Sequence, residues 1–278
     1  VKIKKFIHMK FIVSSQSLLR SLQLISGVIA PNNALPILEN FLFEIDNGKL
    51  TLKSTDLDCT METQIEIESE ENYSVAVDAK MILEFLKAFP EQPLTFLIDS
   101  TKNIIKVHSE DGEYSFTYFD GNEFPKTPLL SEEKTIRINS QTFLESINQT
   151  IFAAGNDELR PVMSGVYCDI SSSNINFVAT DAHKLIRHKV NENSNETTSF
   201  IIPKKPLNII KNIFSESSED IEISYDSSNA IFSFKNLIIY CRLVEGSYPN
   251  YEQVIPKDNS NELIISKKKL ISALKKVM

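Results

Sequence analysis

Cysteine is scarce in this sequence. Cys59, Cys168 and Cys241 are the only three in 278 residues, far apart, odd in number and without a CxxC pair. That pattern argues against a disulfide framework or a zinc site, and it fits a reducing cytoplasm in which buried thiols act as small hydrophobes. Long apolar runs are missing too. No stretch approaches the roughly 18 residues that span a bilayer, so no membrane helix is expected. The opening "VKIKKFIHMK" is basic and briefly apolar, but too short in its apolar part for a signal peptide, and no small-residue cleavage site follows. Met9 reads as the natural beginning, with residues 1–8 as an N-terminal extension. The signatures of common catalytic sites are absent as well: there is no Gly-rich phosphate loop, no HExxH and no GxSxG. Nothing calls for a cofactor or a metal. Positive charge is in deficit, with 29 Lys and Arg against 37 Asp and Glu. A net charge of −8 by itself speaks against nucleic-acid binding, although the placement of basic residues matters more than their sum.

What is present is ordinary globular composition, 42% hydrophobic and 24% charged, in a length that suits two domains or one large one. An internal repeat decides between them. "FIVSSQSLLRSL" (11–22) returns as "IRINSQTFLESI" (136–147), with Ser15-Gln16 falling on Ser140-Gln141, an offset of 125. At the same offset "LKSTDLDCT" falls on "FVATDAHKL", with Thr55-Asp56 on Thr180-Asp181, and Lys80 falls on Lys205. "YFDGNEFP" matches "LVEGSYP", with Gly121 on Gly246. Ordered landmarks at one offset mean a duplicated domain. A third copy begins at "LIISKKKLISAL" (263–274), and completing it would take about 105 further residues, so the chain reads as truncated early in that copy. The boundaries expected are 1–8 for the extension, 9–132 and 133–260 for two complete domains, and 261–278 for the start of a third.

Each copy has the same predicted order: strand, helix, hairpins, helix, hairpins. The first helix carries Leu18, Leu19, Leu22 and Ile25 in copy one, and Phe143, Leu144 and Ile147 in copy two, at helical spacing. Ser15 or Ser17, and Ser140 or Thr142, are expected as N-caps. Asn47-Gly48 and the Ser-rich stretch before Asn174 are expected as hairpin turns. Acidic, Ser-rich segments 66–72 and 191–199 read as exposed loops. The fold class is α+β: tandem domains, each with two helices packed on antiparallel sheets of about eight strands.

"FVATDAHKL" (177–185) sets Asp181, His183 and Lys184 together at a strand end. Residues two apart on a strand share a face, so a general-base pair of Asp181 with His183 is geometrically possible. The first copy argues against it: there the same Thr-Asp is followed by Leu57-Asp58, with no histidine. The aspartate therefore serves the domain, as a turn or cap residue after a strand. His8, His108 and His188 offer no convergent partner.

"MKF…LPILEN", "TDLD", "RPVMSGV", "VATDAHKL", "IPKK" and "EGSYPNYEQVIP" occur in this order, and the chain from Met9 to Met278 resembles the bacterial DNA sliding clamp, the beta subunit of the replicative DNA polymerase. The resemblance implies a non-catalytic processivity factor with a clamp fold. Its full-length form is a homodimeric ring of three repeated domains per subunit, with helices lining a hole for duplex DNA and strands outside. The implied partners are double-stranded DNA without sequence preference, the replicative polymerase, a clamp loader and other clamp-motif proteins, and no membrane. The resemblance also implies a cytoplasmic, nucleoid-associated place.

By position, the resemblance assigns a partner-peptide pocket to Met163, Thr180, Ala182, His183, Lys184, Leu185, Pro249 and Val254, completed by a third domain. Ala182 stands for the family's usual glycine, where its Cβ should limit positive φ and narrow the rim, and Lys184 stands for its usual arginine, losing the planar fork. DNA contacts are implied at Gln23, Asn32, Lys80, Arg160, Lys204 and Lys205, with Asn32 where the family often has arginine. Lys80 with Lys87, Lys204 with Lys211, and Lys268 with Lys275 are seven apart, each pair on one helix face. The rival readings are an enzyme built on Asp181 and His183, and a generic two-domain interaction protein that has lost DNA binding.

Overall fold

The computed structural model describes residues 9–31, 35–69, 72–157, 159–192, 196–213 and 219–277. The extension 1–8, Asn32, residues 70–71 and 193–195 of the two acidic loops, and 214–218 lie outside them. Two compact units are present, Val1–Gly246 and Ser247–Met278.

The first unit holds both complete copies. Copy one runs β1 (Met9–Ser14), α1 (Ser15–Ile25), β2 (Asn40–Asp46), β3 (Lys49–Thr55), β4 (Cys59–Glu66), β5 (Glu68–Ser69), β6 (Tyr73–Asp78), α2 (Ala79–Lys87), β7 (Pro93–Asp99), β8 (Ile104–His108) and β9 (Glu113–Asp120). Copy two repeats the order: β10 (Lys134–Asn139), α3 (Ser140–Thr150), β11 (Gly165–Ile170), β12 (Ile175–Thr180), β13 (Leu185–Val190), β14 (Thr198–Pro203), α4 (Lys204–Ile213), β15 (Asp220–Tyr225), β16 (Asn229–Phe234) and β17 (Leu237–Arg242). The α+β reading holds, with both helices of each copy where the periodicity put them. β5 is an addition: two residues inside the expected loop 66–72 pair with Phe11 and Ile12 of β1.

The strands form two antiparallel sheets. One runs β13-β12-β11-β14. The other runs through thirteen strands, β10-β15-β16-β17-β4-β3-β2-β6-β9-β8-β7-β1-β5, and so crosses from one copy to the other. The crossing is the β17–β4 ladder, in which Ile238 faces Glu62, Ile239 faces Met61 and Cys241 faces Cys59. All three cysteines are buried and free. Burial from water pushes the Cys59 thiol up to about 12 and raises those of Cys168 and Cys241 as well, so all three behave as apolar groups.

Amphipathic periodicity explains the helices. Leu18, Leu22 and Ile25 of α1 are fully buried, as are Phe143 and Ile147 of α3. Phe143 lies 5.8 Å from Phe177 of β12 and 6.0 Å from Phe232 of β16, ring centre to ring centre, and so ties the helix to both sheets. The β2–β3 hairpin turns at Asn47 and Gly48, both at positive φ (48° and 78°), as a two-residue turn matching the strand twist requires.

The N-caps differ from expectation by one position. Ser14 Oγ accepts from the Ser17 N–H, and Asn139 Oδ1 accepts from the N–H groups of Gln141 and Thr142. Each strand runs into its helix with no intervening residue, so the last strand residue is the cap. Ser15 is instead buried, donating to the Pro90 carbonyl and accepting from the Gln92 N–H, which ties the helix start to the segment leading into β7.

The second unit contains a 3-10 turn at Tyr251–Val254 and α5 (Lys267–Leu274), whose residues are all exposed. No helix among the described residues is long and apolar enough to cross a membrane.

Candidate functional site

The Thr-Asp pair builds the same turn twice. In copy two, Asp181 Oδ1 accepts from the N–H groups of His183 and Lys184, both at 2.9 Å. Thr180 Oγ1 donates to the Lys184 carbonyl at 2.7 Å and accepts from the Ala182 N–H. In copy one, Asp56 Oδ1 accepts from the N–H groups of Asp58 and Cys59, and Thr55 Oγ1 donates to the Cys59 carbonyl and accepts from the Leu57 N–H. Short polar side chains that hydrogen-bond two residues onward are the ordinary makers of such turns.

The turn forces its second residue into the left-handed region. Ala182 sits at φ 73° and Leu57 at φ 81°. Ala182 thus takes up positive φ against the resistance of its Cβ: the hydrogen bonds impose the conformation and the residue carries the strain, about 1–2 kcal/mol for an L-residue.

Asp181 does not act as a base for His183. Its second oxygen is held by the Lys184 ammonium. That ammonium bond, then the Lys184 and His183 backbone N–H groups, keep the carboxyl far below the usual carboxylate range. A general base working near neutrality needs the opposite shift. Ala182, His183 and Lys184 are exposed around the turn, while Thr180 is buried and Leu185 half-buried opposite it.

Met163 reaches the same neighbourhood. It ends a 3-10 turn (Pro161–Met163), is half-buried, and its carbonyl accepts from the Gly155 N–H at 2.7 Å. A Cβ on Gly155 would lie 3.7 Å from Asp181 Cα, so Gly155 packs between the two turns. Gly246, at φ 123°, lies against Val162, where a Cβ would meet Val162 Cγ1 at 2.7 Å. Met163, Thr180, Ala182, His183, Lys184 and Leu185 thus share one region of the first unit. Pro249, half-buried, and Val254, exposed, belong to the second.

The predicted DNA-facing residues divide. Gln23, Lys204 and Lys205 line one cleft of about 630 Å³ between α1 and α4, together with Asn208 and Asn212. Lys204 donates to the Ala154 carbonyl and to Asn156 Oδ1, and burial, reinforced by the charge of Lys184, lowers its pKa. Lys205 crosses between copies, donating to the Val28 carbonyl at 3.0 Å and pairing with Asp56. Arg160 pairs with Asp157 at 2.9 Å. Lys80 is exposed on α2, and Asn32 is outside the described residues.

Arg20 is a basic residue that sequence reasoning passed over. It lies exposed on α1, three positions after Ser17 and three before Gln23, both also exposed. That i, i+3 spacing was the available signal.

Comparison with known proteins agrees with these observations. Residues 9–128 match the family model for the N-terminal domain of the DNA polymerase III beta subunit, and residues 137–250 match the model for its central domain. The beta sliding clamp of Halalkalibacterium halodurans is 26% identical over 282 aligned positions, which cover 97% of this chain and 74% of that one. That of Bacillus subtilis is 26% identical over 276, covering 96% and 73%. The crystal structure of the Bacillus subtilis DNA polymerase sliding clamp shares the fold at a TM-score of 0.91 and 24% identity, covering 97% of this chain and 73% of that one. A putative DNA polymerase III beta subunit from Eubacterium rectale superposes at a TM-score of 0.91 with 25% identity, covering 96% and 73%. With a duplicated domain, two successive domain models spanning most of its length and a turn carboxylate unsuited to catalysis, the chain belongs to the beta sliding clamp family, a non-catalytic one.

Proposed function

We propose that the chain serves as a DNA-replication processivity factor, a sliding clamp that surrounds duplex DNA and tethers polymerase and repair proteins through a peptide pocket. The observation that carries this reading is the gathering of Met163, Thr180, Ala182, His183, Lys184 and Leu185 around one rigid turn. Met163 and Leu185 offer half-buried apolar surface. The exposed rim at 182–184 offers polar atoms, which is the composition of a peptide-docking site. The domains of this reading are 9–132, 133–260 and a third beginning at 261.

The helix row supports the DNA side of the reading. α1 packs on α2, α3 packs on α4, and the α1–α4 cleft joins the pairs. The exposed positions of this row are rich in amides (Gln23, Gln141, Asn148, Gln149, Asn208, Asn212), with the cations Arg20, Lys80 and Lys87 outnumbering the acids Glu84 and Glu145. Amides and a few cations suit phosphate contacts that carry no base information.

Peptide docking is the test. A fluorescent peptide bearing the clamp-motif glutamine and Leu/Phe residues is titrated with the wild-type protein and with Met163→Asp. Binding by the first and its loss in the second is the expected result; equal affinity would move the pocket elsewhere.

A further inference from the structure

Two of the three free cysteines meet across the junction between the copies. Cys59 of β4 lies directly opposite Cys241 of β17 in the ladder that joins them. Residues directly opposite in an antiparallel pair share a face of the sheet, and both of these side chains are buried.

The backbone hydrogen bonds fix the kind of pair. One step along the ladder, the Arg242 N–H donates to the Asp58 carbonyl at 2.8 Å. The Cys59 carbonyl is turned the other way, towards β3, where it accepts from the Asp56 N–H. Cys59 and Cys241 are therefore a non-hydrogen-bonded pair, the closer of the two antiparallel kinds, with Cα atoms typically about 4.5 Å apart. Disulfides span Cα separations of about 4.4 to 6.8 Å. A bond between the two sulfurs thus calls for rotation of two side chains rather than movement of the strands.

We propose that Cys59 and Cys241 are an oxidation site, forming a cross-strand disulfide that staples copy one to copy two. Cys241 is the thiol within reach of a small oxidant. It lines a pocket of about 380 Å³ together with Leu57, Asp58, Thr60, Tyr240 and Arg242. With hydrogen peroxide as oxidant, the Cys241 thiolate attacks one peroxide oxygen and the O–O bond breaks. The departing hydroxide takes up the proton that the thiol gave up and leaves as water. The Cys59 sulfur then displaces the hydroxyl of the Cys241 sulfenic acid, the S–S bond forms, and the Cys59 proton leaves with that hydroxyl as a second water. The two sulfurs lose two electrons, and the peroxide gains them.

Burial sets the pace of this reaction. Burial first, and the Asp56 carboxylate second, push the Cys59 thiol up to about 12, and burial with the facing Cys59 raises that of Cys241. Only the thiolate is nucleophilic, so linkage is slow and answers sustained oxidation rather than a brief pulse. Cys168 is the competing partner, but its ladders set it opposite Phe177 and Phe200, not a cysteine. Because Cys59 and Cys241 are 182 positions apart, the bond removes much freedom from the unfolded chain and holds the β17–β4 ladder closed. The proposal rests on strand register and does not depend on the peptide or DNA reading.

Disulfide mapping on the full chain tests it. The folded protein is incubated with hydrogen peroxide, its remaining thiols are alkylated in denaturant, and the unreduced digest is read by mass spectrometry. The expected product is a linked Cys59–Cys241 peptide, with Cys168 recovered as an alkylated thiol. The urea midpoint of the oxidised protein should rise by about 1 M and return on reduction with dithiothreitol. Cys59→Ala and Cys241→Ala should each abolish both changes while Cys168→Ala keeps them, with circular dichroism checking that each variant is folded. All three thiols alkylated after prolonged oxidation would overturn the proposal, as would cysteines oxidised singly to sulfinic or sulfonic acid, or a bond through Cys168. A linked protein with an unchanged or lower midpoint would also overturn it, since the bond would then strain the junction instead of holding it.

Discussion

Lys205 of the second copy pairs with Asp56, the turn carboxylate of the first, while donating to the Val28 carbonyl. The lysine expected to contact DNA therefore also fastens one copy to the other. Lys205→Ala should lower unfolding stability by up to about 1 kcal/mol, since its side chain is 43% exposed and partly screened. A double-mutant cycle with Asp56→Ala, read by urea denaturation, should recover a coupling of the same size.

Ala182 holds a left-handed backbone that its Cβ resists. Ala182→Gly should stabilise the protein by about 1 kcal/mol, measured as a higher urea midpoint at unchanged slope. Leu57→Gly in the equivalent turn should act in the same direction, less the apolar contact it removes. A loss of stability in Ala182→Gly would mean that the turn does not impose this conformation.

Asp181 is held ionised by Lys184 and by two backbone N–H groups. Its folded pKa lies below its unfolded value, near 4. The stability it contributes is therefore complete above that value and is lost as pH falls through the folded one. Asp181→Asn keeps the acceptor oxygen for the backbone donors but loses the charge. The wild type should be the more stable above pH 5, and the gap should narrow as pH drops from about 4 towards 2. A gap independent of pH would detach the charge from the turn's stability.

DNA retention should depend on the free cations of the helix row more than on those already engaged. Lys80→Glu should weaken retention and reduce the salt slope by about 1, the effect of one lost phosphate contact. Adding Lys205→Glu should weaken retention further and also destabilise the junction between copies. An unaltered slope in Lys80→Glu would remove that lysine from the DNA face.

The duplication, the two helices per copy, the Asn47-Gly48 turn and the role of Asp181 in its turn were legible in the residues. Each depends on local chemistry: apolar spacing for helices, positive φ for turns, a side-chain oxygen within two residues of its donor. The N-caps were missed by one position because a strand passing straight into a helix leaves no separate signal. Arg20 was readable from its spacing with Gln23. Other features arise only in the tertiary structure. Which strands meet across 182 residues, as Cys59 and Cys241 do in the β17–β4 ladder, depends on how whole sheets pack, not on any local pattern. The fates of Lys204 and Lys205 follow from that packing, since it brings Ala154, Asn156, Val28 and Asp56 within reach of their ammonium groups. Sequence determined the repeating unit because its elements are stabilised by near neighbours. Tertiary structure decided how the copies join and which charges stay available, because both depend on partners far away along the chain.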